Sequence, residues 1–130
     1  MKISFPGGKK VDINYKNFVI KTDQPIKYGG ENSNPEPFSL FLSSIGACVG
    51  YYILSFCQER DINTKELKLI LKTIKNNQTN MIDQIDIRIL AQKNFPEKYL
   101  KSIIKAANLC TVKKHLENPP KIEILINKVE

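Results

Sequence analysis

A single histidine, His115, stands in the 130 residues, and no two cysteines form a CxxC pair. Closed metal sites draw on such ligands at short, fixed spacings, so neither a metal nor a cofactor is expected. Arginine is nearly absent: of the 20 basic residues only Arg60 and Arg88 are arginine, and the lysines are spread along the chain. Nucleic-acid binding asks for a focused basic patch with arginine or stacking aromatics. The net charge of +7 therefore reads as a lysine-rich solvated surface, with no nucleic-acid partner. The first residues, MKISFPGGKK, hold no apolar run of the secretory kind. A cytoplasmic, reducing location is the expectation, where a thiol pair is more often catalytic or simply buried than a structural disulfide. Internal repeats and low-complexity tracts are also missing.

Charge is missing from one long stretch. Pro37 to Phe56 is 20 residues without an ionised side chain, close to the ~20 needed to cross a bilayer. Gly46 and Gly50 stand in the GxxxG spacing of membrane-helix packing. Against that reading are Ser39, Ser43, Ser44 and Ser55, an opening proline and alternating strands on both flanks. No membrane association is expected. A long buried central helix is, with small residues admitting close neighbours. So short a chain reads as one domain, residues 1–130, and the cover for such a helix points to a second subunit.

The remaining pattern is mixed. Residues 2–5 and 9–14 alternate around the turn Pro6-Gly7-Gly8, and 18–21 gives a third strand. Residues 23–34 form a polar loop. Asn34-Pro35-Glu36 opens the long helix, which runs to about Arg60. Residues 67–74 and 81–90 alternate on either side of a polar hairpin turn. Phe95-Pro96-Glu97 opens a second helix whose stripe ends at Cys110, with a short helical turn continuing through 112–116. Beyond Pro119-Pro120, Ile122, Ile124 and Ile126 alternate as a last strand. The class is α+β with antiparallel hairpins, in the order βββ-α-ββ-α-β.

Two of the three cysteines are set in apolar helical segments: Cys48 in PFSLFLSSIGACVGYYILSF and Cys110 at the end of YLKSIIKAANLC. At ~100° per residue, Cys57 points away from Cys48, which shares its face with Ser44, Tyr51, Tyr52 and Ser55. Packing of the Cys110 stripe on that face would bring the thiols toward the ~4.4–6.8 Å Cα separation of a disulfide. Spacing alone leaves two readings open, inert core cysteines or one redox site, because free cysteine is among the most buried residue types. Cys57 reads as structural.

The stretch NPEPFSLFLSSIGACVGYYILSFC resembles the central-helix signature of the OsmC/Ohr family, osmotically inducible protein C and organic hydroperoxide resistance proteins. FPEKYLKSIIKAANLCTVKKHLENPPKIEI resembles the family's second-cysteine helix and last strand. The order of elements also fits, so the resemblance covers nearly the whole chain, and within the family it is to the short OsmC-like branch. The resemblance implies an OsmC-like fold and an intertwined homodimer with the long helices at its centre. It implies a stress-response thiol peroxidase in which Cys48 attacks the O–O bond of a small organic hydroperoxide and becomes a sulfenic acid. Cys110 would resolve it to a disulfide, and a small dithiol or protein thiol would reduce that disulfide.

The chain departs from the family pattern at two places. No arginine precedes Arg60, where family peroxidases supply one from the N-terminal sheet, and Phe38 and Ser39 occupy the positions of the family's helix carboxylate. Lys21 and Lys27, with Glu36 as the nearest acid, are the candidates to support a thiolate. Ser44, Tyr51 and Tyr52 are the candidates to line a pocket; the KKHLENPP run resembles a stretch that recurs in short OsmC-like members, which implies that it shapes the pocket wall, and His115 itself reads as an exposed or capping residue near Pro119-Pro120. A non-catalytic dimer holding a small apolar or thiol-reactive ligand at its interface is the alternative function.

Overall fold

The computed structural model describes residues 1–128. Its elements are strands β1 (Lys2–Gly7), β2 (Lys10–Tyr15) and β3 (Phe18–Thr22), helix α1 (Pro37–Gln58), strands β4 (Lys68–Lys75) and β5 (Ile82–Leu90), and helices α2 (Leu100–Ala107) and α3 (Thr111–Glu117). Short 3₁₀ turns stand at Ile26–Tyr28 and Glu97–Tyr99. The chain divides into two compact units, Met1–Ser44 and Ile45–Glu130.

The first unit is an antiparallel meander in the order β1-β2-β3. The hairpin turn falls at Gly8-Lys9, later than the expected Pro6-Gly7-Gly8, with Gly7 (φ 133°) and Gly8 (φ 60°) in backbone conformations that side chains resist. Pro6 lies within an edge strand, at a break in register between Ser4 and Gly7, where its missing N–H costs no ladder bond. After β3 the chain is gathered by one carboxylate. Asp23, with no exposed surface, accepts from the backbone N–H of Gln24, Glu31 and Ser33 and from the Ser33 hydroxyl. Those bonds, led by the Ser33 N–H, hold its carboxyl at about 2. Gly30 passes so close that a Cβ there would lie 1.9 Å from the Gln24 carbonyl oxygen.

The second unit builds the core. Val49, Ile53, Phe56 and Cys57 from α1 cluster with Phe95, Ile103 and Cys110, and Leu69, Ile87 and Ile89 of the β4–β5 hairpin pack on them. Gly46 and Gly50 face Leu71 and Leu69 of β4. A Cβ at Gly50 would stand 3.6 Å from the leucine methyl, an ordinary contact, so the small residues leave room rather than force close approach. Arg60 closes the end of α1, its guanidinium 3.9 Å over the Phe56 ring and bonded to the Phe56 carbonyl.

Three expectations are corrected. Helix α1 begins at Pro37, not at Asn34-Pro35-Glu36, with proline in the first helical position and its first turn closed by Leu40 on the Glu36 carbonyl. It is long and apolar enough to cross a membrane, but it is buried along one stripe only: Tyr51 is 62% and Leu54 41% exposed. The last strand is absent among the described residues, so the order ends in two helices. Ile122, Ile124 and Ile126 are each more than 80% exposed. Alternation defines the two faces of a strand, but a strand also needs a neighbour to complete its ladder, and this segment pairs with none among the described residues.

Candidate active site

The second helix of the sequence analysis is two helices. α2 stops at Ala107, where the Asn108 and Leu109 amides fold back on Ile104 and Ala106. The Asn108 side chain also donates to the Ile104 carbonyl, a local bond that competes with further helix. Cys110 then takes an extended conformation (φ −47°, ψ 118°) and starts α3 as its N-cap. Its Sγ accepts from the Lys113 N–H at 3.3 Å, the place usually filled by a serine, threonine or aspartate oxygen. The N–H groups of Thr111 and Val112 are the other free donors of that first turn.

Those donors act on Cys48. The cysteine is half-buried on α1, next to the core residue Val49. Burial alone pushes its thiol up, but hydrogen bonds from the Cys110 thiol and from the Val112 and Thr111 N–H groups outweigh it and hold Cys48 below the ordinary thiol value. Cys110, fully buried, is pushed up by desolvation and by its role as donor to Cys48, with partial relief from the Lys113 N–H. All three cysteines are free thiols. Cys48 and Cys110 thus make an asymmetric pair, one sulfur biased toward thiolate and reachable, the other kept protonated and covered. Such a pair suits a nucleophile with a second thiol in waiting.

Cys57 is fully buried on the far side of α1; burial pushes its thiol up, with some offset from Arg60. The pocket candidates separate. Tyr52 is half-buried and its hydroxyl meets the Thr111 hydroxyl at 3.1 Å, while Tyr51 stands edge-on to it at 5.3 Å. Both line an open groove of about 510 Å³ that also carries Arg60 and Lys105. Ser44 is exposed and its hydroxyl donates to the Phe41 carbonyl, a helix back-bond. A second, apolar cavity of about 470 Å³ lies among Val49, Ile87, Ile89, Ile104 and Leu116.

The thiolate-supporting candidates belong to the first unit. Lys21 is exposed on β3, Lys27 lies 4.8 Å over the Tyr28 ring, and Glu36 precedes α1. His115 is exposed on α3, its Nδ1 2.8 Å from the Thr111 carbonyl. Among the described residues no three His, Cys, Asp or Glu side chains are grouped to hold a metal. The contributors missed in the sequence are Thr111 and Val112. The signal that marks them is Asn108-Leu109-Cys110-Thr111, where two poor helix formers flank a cysteine at the end of an apolar stripe.

An α+β chain with two small antiparallel sheets, and a thiol pair linking its longest helix to the start of its last one, defines the class. The family profile described as OsmC-like protein matches residues 30–125, and the chain belongs to that family. The family includes peroxidase-type members. The chain is similar in fold to an osmotic stress induced and detoxification response protein from Psychrobacter arcticus, with a TM-score of 0.72, 20% identity, and cover of 87% of this chain and 84% of that one. A second structure, from structural genomics, superposes with a TM-score of 0.65 at 14% identity, covering 91% of this chain and 88% of that one. No curated protein sequence matches the chain significantly.

Proposed function

We propose that this protein reduces small organic hydroperoxides with Cys48 and Cys110, working as an intertwined homodimer in the cytoplasm. The Cys48 thiolate attacks the terminal oxygen of the hydroperoxide; the O–O bond breaks and the alkoxide leaves as alcohol after taking up a proton. Cys48 is then a sulfenic acid. The Cys110 sulfur displaces its hydroxyl as water, forming the Cys48–Cys110 disulfide. A small dithiol or protein thiol returns both sulfurs to thiols by exchange. The carrying observation is that Cys48 packs against the core cluster holding Cys110, both as free thiols, and their surroundings bias the Cys48 thiol down and the Cys110 thiol up. No arginine precedes Arg60, and the support for ionisation comes from backbone N–H groups and a thiol. The dimer draws support from apolar side chains that one chain leaves in water, among them Tyr51, Ile122, Ile124 and Ile126.

The test adds one equivalent of cumene hydroperoxide to reduced protein and maps the product by mass spectrometry. A Cys48–Cys110 disulfide in wild type and a trappable Cys48 sulfenic acid in Cys110→Ser are expected. Reduced thiols alongside undiminished peroxide would end the enzyme reading. The apolar cavity favours a second reading, a dimer that retains an apolar ligand without turnover. Native mass spectra showing a bound ligand, with negligible peroxide consumption, would select it.

A further inference from the structure

Helix α2 runs between two hollows. Ile104, Ala107 and Asn108 line the apolar cavity, while Lys105 and Ala106, with Leu109 just after the helix, line the open groove of about 510 Å³. Across that groove, α1 supplies Tyr51, Tyr52, Ser55 and Phe56, which share one face at helical spacing. The two hollows differ in charge. The one cation of the apolar cavity, Lys113, is paired with Glu117. In the groove, Lys105 makes no ion pair among the described residues. Arg60 bonds the Phe56 carbonyl and the exposed Glu59 carboxylate, and both bonds use Nη1. That leaves the N–H groups of Nε and Nη2, an edge with which a guanidinium takes a carboxylate two-pronged. The apolar part of the groove is ringed: Tyr51 stands edge-on to Tyr52 at 5.3 Å, and Phe56 lies 3.9 Å from the Arg60 guanidinium. Rings set at right angles offer a third ring both a face and an edge.

We propose that this groove binds an aromatic monocarboxylate, its ring against Tyr51, Tyr52 and Leu109 and its carboxylate drawn by Lys105 and Arg60. The volume lies within the ~300–1,000 Å³ of small-molecule sites. The charges select the ligand class. Two cations attract one negative charge, and Glu59 in the lining opposes a second, which disfavours phosphates and diacids. A neutral apolar molecule is better served by the other cavity, where Val49, Ile87, Ile89 and Leu116 surround it and the lysine is already paired. Tyr52 is one turn beyond Cys48 on α1, so the occupant lies near the thiol pair without reacting with it. The site is a binding site in its own right and does not rest on the peroxidase reading.

The experiment titrates the full-length reduced protein, in the assembly it forms in solution, with 2-naphthoate and no peroxide. The emission of the ligand is followed, which no tryptophan in the chain obscures. Saturable binding is expected, weaker at high salt than at low. The neutral analogue 2-naphthalenemethanol binds roughly tenfold more weakly, the loss of charged hydrogen bonds. Lys105→Glu weakens 2-naphthoate roughly three- to fivefold, and Tyr51→Ala roughly two- to tenfold. Both side chains are exposed, so the fold is spared. Leu116→Ala, in the apolar cavity, leaves the affinity at the wild-type level. Equal affinity for the acid and its neutral analogue overturns the proposal. So does an affinity that responds to Leu116→Ala but to neither groove variant, which places the ligand in the other cavity. Tyr51 also supports the proposed dimer, and a partner that fills the groove would show as an absence of saturable binding, which overturns the proposal as well. Should Tyr51→Ala fail to fold, Lys105→Glu and the neutral analogue still decide.

Discussion

The two units of this chain are held by different physics. In Ile45–Glu130, α1, α2 and the β4–β5 hairpin surround a cluster with Ile53 and Cys57 at its centre, both almost without exposed surface. In Met1–Ser44 the side chains that lose their surface are Thr22 and Asp23, and both are polar. The Thr22 hydroxyl bonds the Val11 carbonyl, and Asp23 gathers four donors. Meanwhile Ile3, Phe5, Phe18 and Val19 are each more than half exposed. One unit is therefore organised by burial and the other by hydrogen bonding. A three-stranded sheet that leaves its aromatic and branched residues in water looks like a surface awaiting cover, which agrees with the proposed dimer.

The largest break in this comparison comes from the core. Ile53→Ala opens a cavity among well-packed neighbours and destabilises the protein by about 2–5 kcal/mol, measured by urea denaturation. In the hydrogen-bonded unit the largest effect is expected at Gly30. Its added Cβ would meet Gln24 oxygen, carbonyl carbon and Cα at 1.9, 2.5 and 2.8 Å, and backbone cannot swing aside as a side chain can. Gly30→Ala should cost about 1–3 kcal/mol, with faster amide exchange at Glu31 and Ser33.

A smaller effect, and one specific to the first unit, is acid sensitivity at Asp23. Its folded carboxyl sits at about 2, well below the usual aspartate range. The folded state binds that proton less readily than the unfolded state does. The stabilisation is therefore complete above about pH 4 and is lost as pH falls toward 2. Asp23→Asn removes this step: its stability changes less between pH 4 and 2 than that of wild type. Equal slopes for the two proteins would show that the Asp23 cluster does not hold the loop.

Much of this was legible in the sequence, for reasons that differ by element. The hairpins announce themselves because Gly7 and Gly8 adopt backbone conformations few residues tolerate, and α1 because its uncharged run exceeds any strand. The cysteines that meet are the ones its pattern sets in apolar stripes. What was hidden depends on partners far along the chain. Asp23 reads as one more polar loop residue until donors eight and ten positions later close on it. The break at Asn108 is decided by a side chain folding back on its own helix. Ile122, Ile124 and Ile126 carry the period of a strand, and period says nothing about whether an edge is there to receive it.

The smallest expected effect sharpens the comparison most. Phe5 is 81% exposed and Val19 54%. If water is their surrounding in solution, Phe5→Ala and Val19→Ala change stability by no more than ~0.5 kcal/mol. If a second copy covers this sheet, truncation removes buried apolar surface from an interface, and the loss depends on protein concentration. Denaturation of both variants at two concentrations a hundredfold apart separates these outcomes. A dimer held through this face predicts that each variant melts earlier than wild type, by a margin that widens on dilution. Equal melting at both concentrations would leave the first unit an exposed sheet held by Asp23 and its ladders, and the proposed dimer would have to be built elsewhere.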